Sequence, residues 1–173
     1  MTVAVIGILS SVAITITGNE WRRERVNAAA IDFAGWLEQV RTASLRQINT
    51  SPNAGGCVVT VNAVSSVAPG AALASVTPTS CSPTPSFVIP GVVGSGTLYD
   101  SSLSNASTIT FTQRGSVLLA SNSTDAVVRL FLRGSNLVRC VRVGAGLGVI
   151  RIGSNNAASS ASSDCLSTAY SSF

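Results

Sequence analysis

The chain has 173 residues, of which 46% are hydrophobic and 10% charged, with a net charge of +4 and a mean hydropathy of +0.43. That balance excludes a disordered protein, and the length suits one domain with at most one appended element. Histidine is absent and all 11 cations are Arg, which excludes an imidazole general base, a His-based triad and any His metal ligand.

Residues 1–17 read MTVAVIGILSSVAITIT, and no charge appears before Glu20. A run of about 17 apolar residues is at the short limit for a membrane helix. No cationic residue precedes it, so it lacks the basic start of a signal peptide. Lipid would force even this β-branched run into a helix, because backbone groups there must be satisfied internally. A buried core strand is the alternative, and the absence of turn residues weighs against it.

Polarity changes at Gly18-Asn19, yet the helical signal continues. Residues 20–48 contain no Pro and only Gly35 among glycines. The steps Phe33, Trp36/Leu37, Val40 and Ala43/Ser44 follow the i, i+3/i+4, i+7 rule of an amphipathic helix. Glu20 with Arg23 and Glu38 with Arg41 add opposite charges at helical spacing, and Thr50-Ser51-Pro52 ends the element. A single rod of 48 residues would span about 72 Å. The expected organisation is therefore an apolar transmembrane or filament-core segment over 1–18, its amphipathic continuation over 19–50, and a β domain over 51–173.

After Pro52 the pattern becomes strand-like. Strands are expected at Cys57-Val58-Val59-Thr60-Val61, Phe87-Val88-Ile89, Thr108-Ile109-Thr110-Phe111-Thr112, 126–132, 137–143 and 148–152. The Ala/Ser/Pro/Thr-rich residues 64–86 and the Ser-rich tail 154–173 read as loops. Arg133-Gly134-Ser135-Asn136 and Gly144-Ala145-Gly146 are turn signals. The alternation from Val127 to Arg133 puts one face in a core and Arg on the other. The fold class is thus α+β, one long helix beside an antiparallel sheet.

Chemistry has little to draw on. Of seven carboxylates, Glu20, Glu24, Asp32 and Glu38 lie in the first helix, leaving Asp100, Asp125 and Asp164. No catalytic, cofactor or metal site is expected, and an enzyme is disfavoured. The Gly144-Ala-Gly146-Leu-Gly148 run is followed by a strand and not a helix N-terminus, so it reads as a hairpin turn and not a dinucleotide loop. Cys57, Cys81, Cys140 and Cys165 lack C-x-x-C spacing, which favours disulfides in an oxidising compartment over zinc or redox motifs. Three pairings are open, and free buried cysteines are the alternative to any of them. Cys57–Cys81 with Cys140–Cys165 is preferred because each closes a loop of moderate length, worth about 3 kcal/mol in the chain-entropy model. Arg114, Arg129, Arg133, Arg139, Arg142 and Arg151 face only Asp125 in the same stretch, a charge of about +5 that would neutralise nucleic-acid phosphates non-specifically. A solvated sheet face is the plainer reading. Arg22-Arg23-Arg25, offset by Glu20 and Glu24, reads as an inter-subunit contact.

MTVAVIGILSSVAI resembles the conserved start of type IV pilins and type II secretion pseudopilins. The stretch from Trp21-Arg-Arg-Glu-Arg-Val to Phe33-Ala-Gly-Trp-Leu-Glu-Gln-Val-Arg41-Thr-Ala-Ser-Leu-Arg46 resembles the GspH/FimT-like minor pilin branch. Ile109-Thr-Phe-Thr-Gln-Arg114-Gly115 is similar to its strand-turn, and Val-Ile-Arg151-Ile to its closing strand. The resemblance implies a structural subunit without enzymatic activity. It further implies an inner-membrane, single-pass location before assembly, in contact with lipid, and a periplasmic or extracellular filament afterwards. Implied partners are other pilins or pseudopilins, an inner-membrane assembly platform with its ATPase, and a prepilin peptidase that cleaves and methylates. The alternatives are a DNA-binding minor pilin used in DNA uptake, and a secreted, membrane-anchored adhesin-like β domain. The family's glycine, aromatic residue and glutamate would all lie upstream of Met1, so a truncated or misassigned start is expected in preference to a non-processed variant that begins at Met1. Val149 stands where DNA-binding relatives carry the first Arg of Gly-Arg-x-Arg.

Overall fold

Apolar side chains spaced three and four apart must fall on one stripe if the chain is helical. They do so on α1, Thr2–Arg46. The computed structural model describes residues 2–46, 56–92, 95–120 and 123–172, with side chains from Glu20 onward except Ser167 and Ser172. The expected apolar segment 1–18 therefore lies outside the described side chains, and the expected stop at Thr50-Ser51-Pro52 lies outside the described residues. Among the described residues no helix is long and apolar enough to cross a membrane.

The stripe runs through Val26, Ala29, Ala30, Phe33, Ala34, Trp36, Leu37, Val40 and Ser44, all buried. Alanines at 29, 30 and 34 let the strands approach closely. Phe33 meets Phe87 edge-on with ring centroids 5.0 Å apart, and Trp36 lies 6.0 Å from both rings. The Trp36 Nε1–H donates to the Thr84 carbonyl at 2.9 Å, satisfying the one polar atom of that ring. The Ser44 hydroxyl donates within the last turn to the Arg41 carbonyl at 2.7 Å, which is the usual way a buried serine is tolerated in a helix.

The strands form two sheets, both antiparallel throughout. The first orders β3 (Ser86–Val88), β2 (Ala72–Thr77), β1 (Cys57–Val61), β5 (Thr108–Phe111) and β6 (Val117–Leu119). The second orders β10 (Ser171–Ser172), β9 (Ile150–Asn155), β8 (Val138–Gly144), β7 (Asp125–Leu132) and β4 (Tyr99–Ser104). Helix α1 packs on β7, β8 and β9 of one sheet and on β1 and β5 of the other. One core therefore joins the helix stripe to Val59, Leu73, Ile109 and Phe111 on one side and Val128, Leu130, Val141 and Val143 on the other.

Several expectations need correction. There are two sheets and not one, because alternation within a strand does not say which strands pair. Residues 64–86 are not all loop: β2 buries Leu73, Ala74 and Val76 and pairs with both β1 and β3. Two further strands, β4 and β6, fall where no element is expected. The polar β4 is held along the edge of β7 from Tyr99↔Leu132 to Ser104↔Val127, and β6 pairs with β5. The tail is not only loop either, since β9 extends to Asn155 and β10 pairs back onto it.

Both preferred disulfides form. Cys57–Cys81 ties β1 to the 3₁₀ turn Thr79–Cys81, and Cys140–Cys165 ties β8 to the tail. The second holds a small outer core, in which Ala158, Cys165, Ala161 and Tyr170 cover Val127, Phe131, Val138 and Cys140 on the sheet face turned away from α1. Gly56 sits where a Cβ would run into the Phe111 carbonyl, so the entry to β1 admits no side chain.

Two outcomes follow. Phe33→Ala should cost about 3–5 kcal/mol in chemical denaturation, whereas Ile31→Ala, on the exposed side of the same helix, should cost about 0.5 kcal/mol or less. Peptide mapping without reductant should recover only Cys57–Cys81 and Cys140–Cys165, and reduction should remove about 3 kcal/mol per bond.

Candidate functional site

The six arginines singled out in the sequence do not form one patch. Strand register decides which face each occupies. In β7 and β8 Arg129 lies opposite Cys140 and Val127 opposite Arg142, and in β8 and β9 Arg142 lies opposite Arg151. Arg129, Arg142 and Arg151 thus share the outer face of the second sheet. Arg139 points the other way, toward α1, and bonds to Asn27. Arg133 closes the β7–β8 hairpin, and Arg114 sits in the β5–β6 turn of the other sheet.

The expectation that the arginine face of β7 is open to solvent is corrected by the tail that covers it. Arg129 is buried and pairs with Asp164 through both Nε and Nη2. Asp164 is itself 78% exposed in its side chain, so this is a rim pair anchored at one end. Arg142 pairs with Asp125 and stands 5.6 Å from the Tyr170 ring, within reach of a cation–π contact. Arg133 pairs with Asp100, whose carboxylate also accepts from the Ser66 amide at 2.7 Å. The three carboxylates beyond residue 40 thus each meet one arginine. Their scarcity was the signal available in the sequence for this pairing. Arg114 and Arg151 are exposed and have no ion pair among the described residues.

Arg139 is the exception. It is 5% exposed and meets no carboxylate; its partners are the oxygens of Asn27, Asn156 and the Val138 backbone. Burial, and secondarily the nearby Arg23 charge, lower its pKa from the ordinary arginine value. Alternation along β8 places Arg139 on the face of Val141 and Val143, opposite to that of Arg142, a signal that a charge count along the stretch overlooks.

The helix arginines dock on their own domain. Arg22 Nη1 donates to the Gly134 carbonyl at 2.7 Å, and Arg25 Nη1 to Thr97 Oγ1 at 2.7 Å. The Arg25 guanidinium also lies 3.5 Å above the Trp21 ring. Arg23 pairs with Glu20 at 3.8 Å, a long and exposed contact. At the opposite end of the domain Arg41 Nη2 donates to the Leu147 carbonyl at 3.0 Å, fixing the glycine turn between β8 and β9. Gly148 there has φ +65°, and a Cβ would press to 2.8 Å from Val117. Among the described residues no group of three His, Cys, Asp or Glu could hold a metal ion.

The tyrosines give the site a pH signature. Burial raises the pKa of Tyr99 above its ordinary value, with Arg25 opposing, and burial raises that of Tyr170, with Arg142 and Arg129 opposing. In the folded chain both stay protonated where the unfolded chain ionises. Stability is therefore unaffected below the unfolded tyrosine pKa of about 10 and falls as pH rises past it. Absorbance titration should show phenolate appearing later in the native protein than in denaturant. Asp164→Asn, which strips the buried Arg129 of its counter-charge, should cost about 1–2 kcal/mol in chemical denaturation.

No protein-family model, curated protein or solved structure matches the chain.

Proposed function

We propose that the chain is a non-enzymatic structural subunit of a helical filament, of the type IV pilin or type II secretion pseudopilin kind, in its GspH/FimT-like minor pilin branch. The observation that carries this reading is the division of labour on α1. One stripe is spent on the domain core, while Trp21 and Ile31 remain 53% and 49% exposed beside it, and the same helix leads back into a sequence with no charge before Glu20. A helix that served only its own domain would not need that apolar run. Large apolar side chains kept at the surface beside it fit packing against neighbouring helices. Burial of apolar surface there, at roughly 25 cal/mol per Å², is the driving force of assembly. Lipid holds the run before assembly, and the disulfide-bonded β domain presents the outer surface.

On this reading the partners are other pilins, the assembly platform and the prepilin peptidase. The nucleic-acid alternative draws its support from Arg114 and Arg151, exposed and without ion pairs among the described residues; the other four arginines are occupied within the domain.

Membrane fractionation and shear of cells producing the full chain test the reading. The chain should pellet with membranes and also appear in the sheared surface or periplasmic filament fraction. Recovery only as a free soluble protein, absent from both fractions, would refute it.

A further inference from the structure

The β7–β8 hairpin and the turn of α1 at Glu20–Arg23 flank an open polar cleft of about 370 Å³, lined in part by Arg22, Arg23, Asn136 and Asn156. That volume holds a phosphate ester with several waters, each of which occupies about 30 Å³. We propose that this cleft binds a phosphate-type oxyanion. The shared chemistry is a tetrahedral anion taken by guanidinium and amide donors, whether it is carried by a lipid headgroup or by a soluble phosphate.

Four observations converge on it. First, Arg22 spends one Nη1–H on the Gly134 carbonyl at 2.7 Å, which anchors its guanidinium at the cleft wall while its remaining donors stay uncommitted among the described residues. Second, the carboxylate in the lining, Glu20, is 66% exposed in its side chain and 3.8 Å from Arg23, so it neutralises that arginine weakly. Third, Arg139 stands behind the wall, 5% exposed and with no carboxylate, and repels Arg23. An anion seated near Arg23 relieves that repulsion, which neutral amides cannot do. Fourth, Arg139 Nη1 donates to Asn156 Oδ1 at 3.0 Å. A guanidinium only donates, so this bond fixes the Asn156 amide with its oxygen toward Arg139 and leaves its N–H₂ group as a donor at the cleft it lines. The buried arginine thereby acts as a positioning residue.

The cleft lies at the end of the domain where α1 enters from the uncharged run. On the filament-subunit reading, on which this step alone rests, that end faces the bilayer and the phosphate is that of an anionic headgroup. Basic residues just beyond an apolar helix favour such anionic surfaces.

The test uses the full chain in a non-ionic detergent, followed by NMR of the side-chain amides of Asn136 and Asn156. One arm titrates inorganic phosphate; a second transfers the protein into nanodiscs with or without phosphatidylglycerol. Saturable shifts of these amides are expected in one arm or both, and the arm that responds identifies the source. Binding at about 1 mM or tighter should weaken at least tenfold in Arg22→Gln/Arg23→Gln. Both positions are exposed, so this variant tests the cleft where Arg139→Leu would simply misfold. No saturable shift in either arm, or shifts that sodium chloride or the double variant reproduces unchanged, would overturn the proposal. Filament incorporation of the double variant is scored separately, so loss of the cleft is distinguished from failure of the subunit reading.

Discussion

Burial of one stripe of α1, from Val26 to Ser44, is the constraint on which the rest of the molecule depends. Each sheet has an apolar face that must be covered, and one helix covers part of both. A helix shared in this way fixes the relation between the sheets as well as its own position. It also limits what the helix can do elsewhere. Its remaining faces carry the ion pairs Glu20–Arg23 and Glu38–Arg41, together with the exposed Trp21, Ile31 and Leu45. Phe33 and Trp36 mark the centre, where the aromatic contact with Phe87 reaches the first sheet.

A second layer of organisation depends on the tail. The second sheet is covered by α1 on one face and, through Cys140–Cys165, by a short outer core on the other. Small domains gain stability from such cross-links because the unfolded chain loses freedom. The covered face holds Arg129, and the cover supplies its counter-charge, Asp164. In a chain with so few carboxylates, Asp100, Asp125 and Asp164 each hold one arginine on or beside the second sheet. Arg139 is left with neutral partners at the end where the helix enters the domain.

Much of this was legible in the sequence, and what was not has physical reasons. The period of Phe33, Trp36/Leu37 and Val40 announced both the helix and its buried face. The β-branched runs around Val59, Ile109 and Val128 announced strands, and the cysteine spacing favoured the pairing that forms. Strand β4 was hidden because its polar Tyr-Asp-Ser-Ser-Leu-Ser run is held by edge pairing to β7, a non-local interaction. Strand β2 was hidden by its small residues in a Pro/Ser-rich neighbourhood. The arginines mislead as a group because charge summed along a stretch ignores the alternation of faces along each strand. Arg139 and Arg142, in the same strand, fall on opposite faces, one in the core beside α1 and one beside Tyr170. The separate sheets were not legible at all, since alternation carries no information about strand partners.

On the proposed reading, α1 serves two environments, the domain core through one part and an apolar filament or bilayer through the other. Deleting residues 1–18 separates the two most directly, because the described core begins at Val26. The truncated chain is predicted to retain both disulfides and a cooperative unfolding transition like that of the full chain, while disappearing from membrane and filament fractions. A truncated chain that still sediments with membranes or filaments, or a domain that no longer folds, would contradict the account.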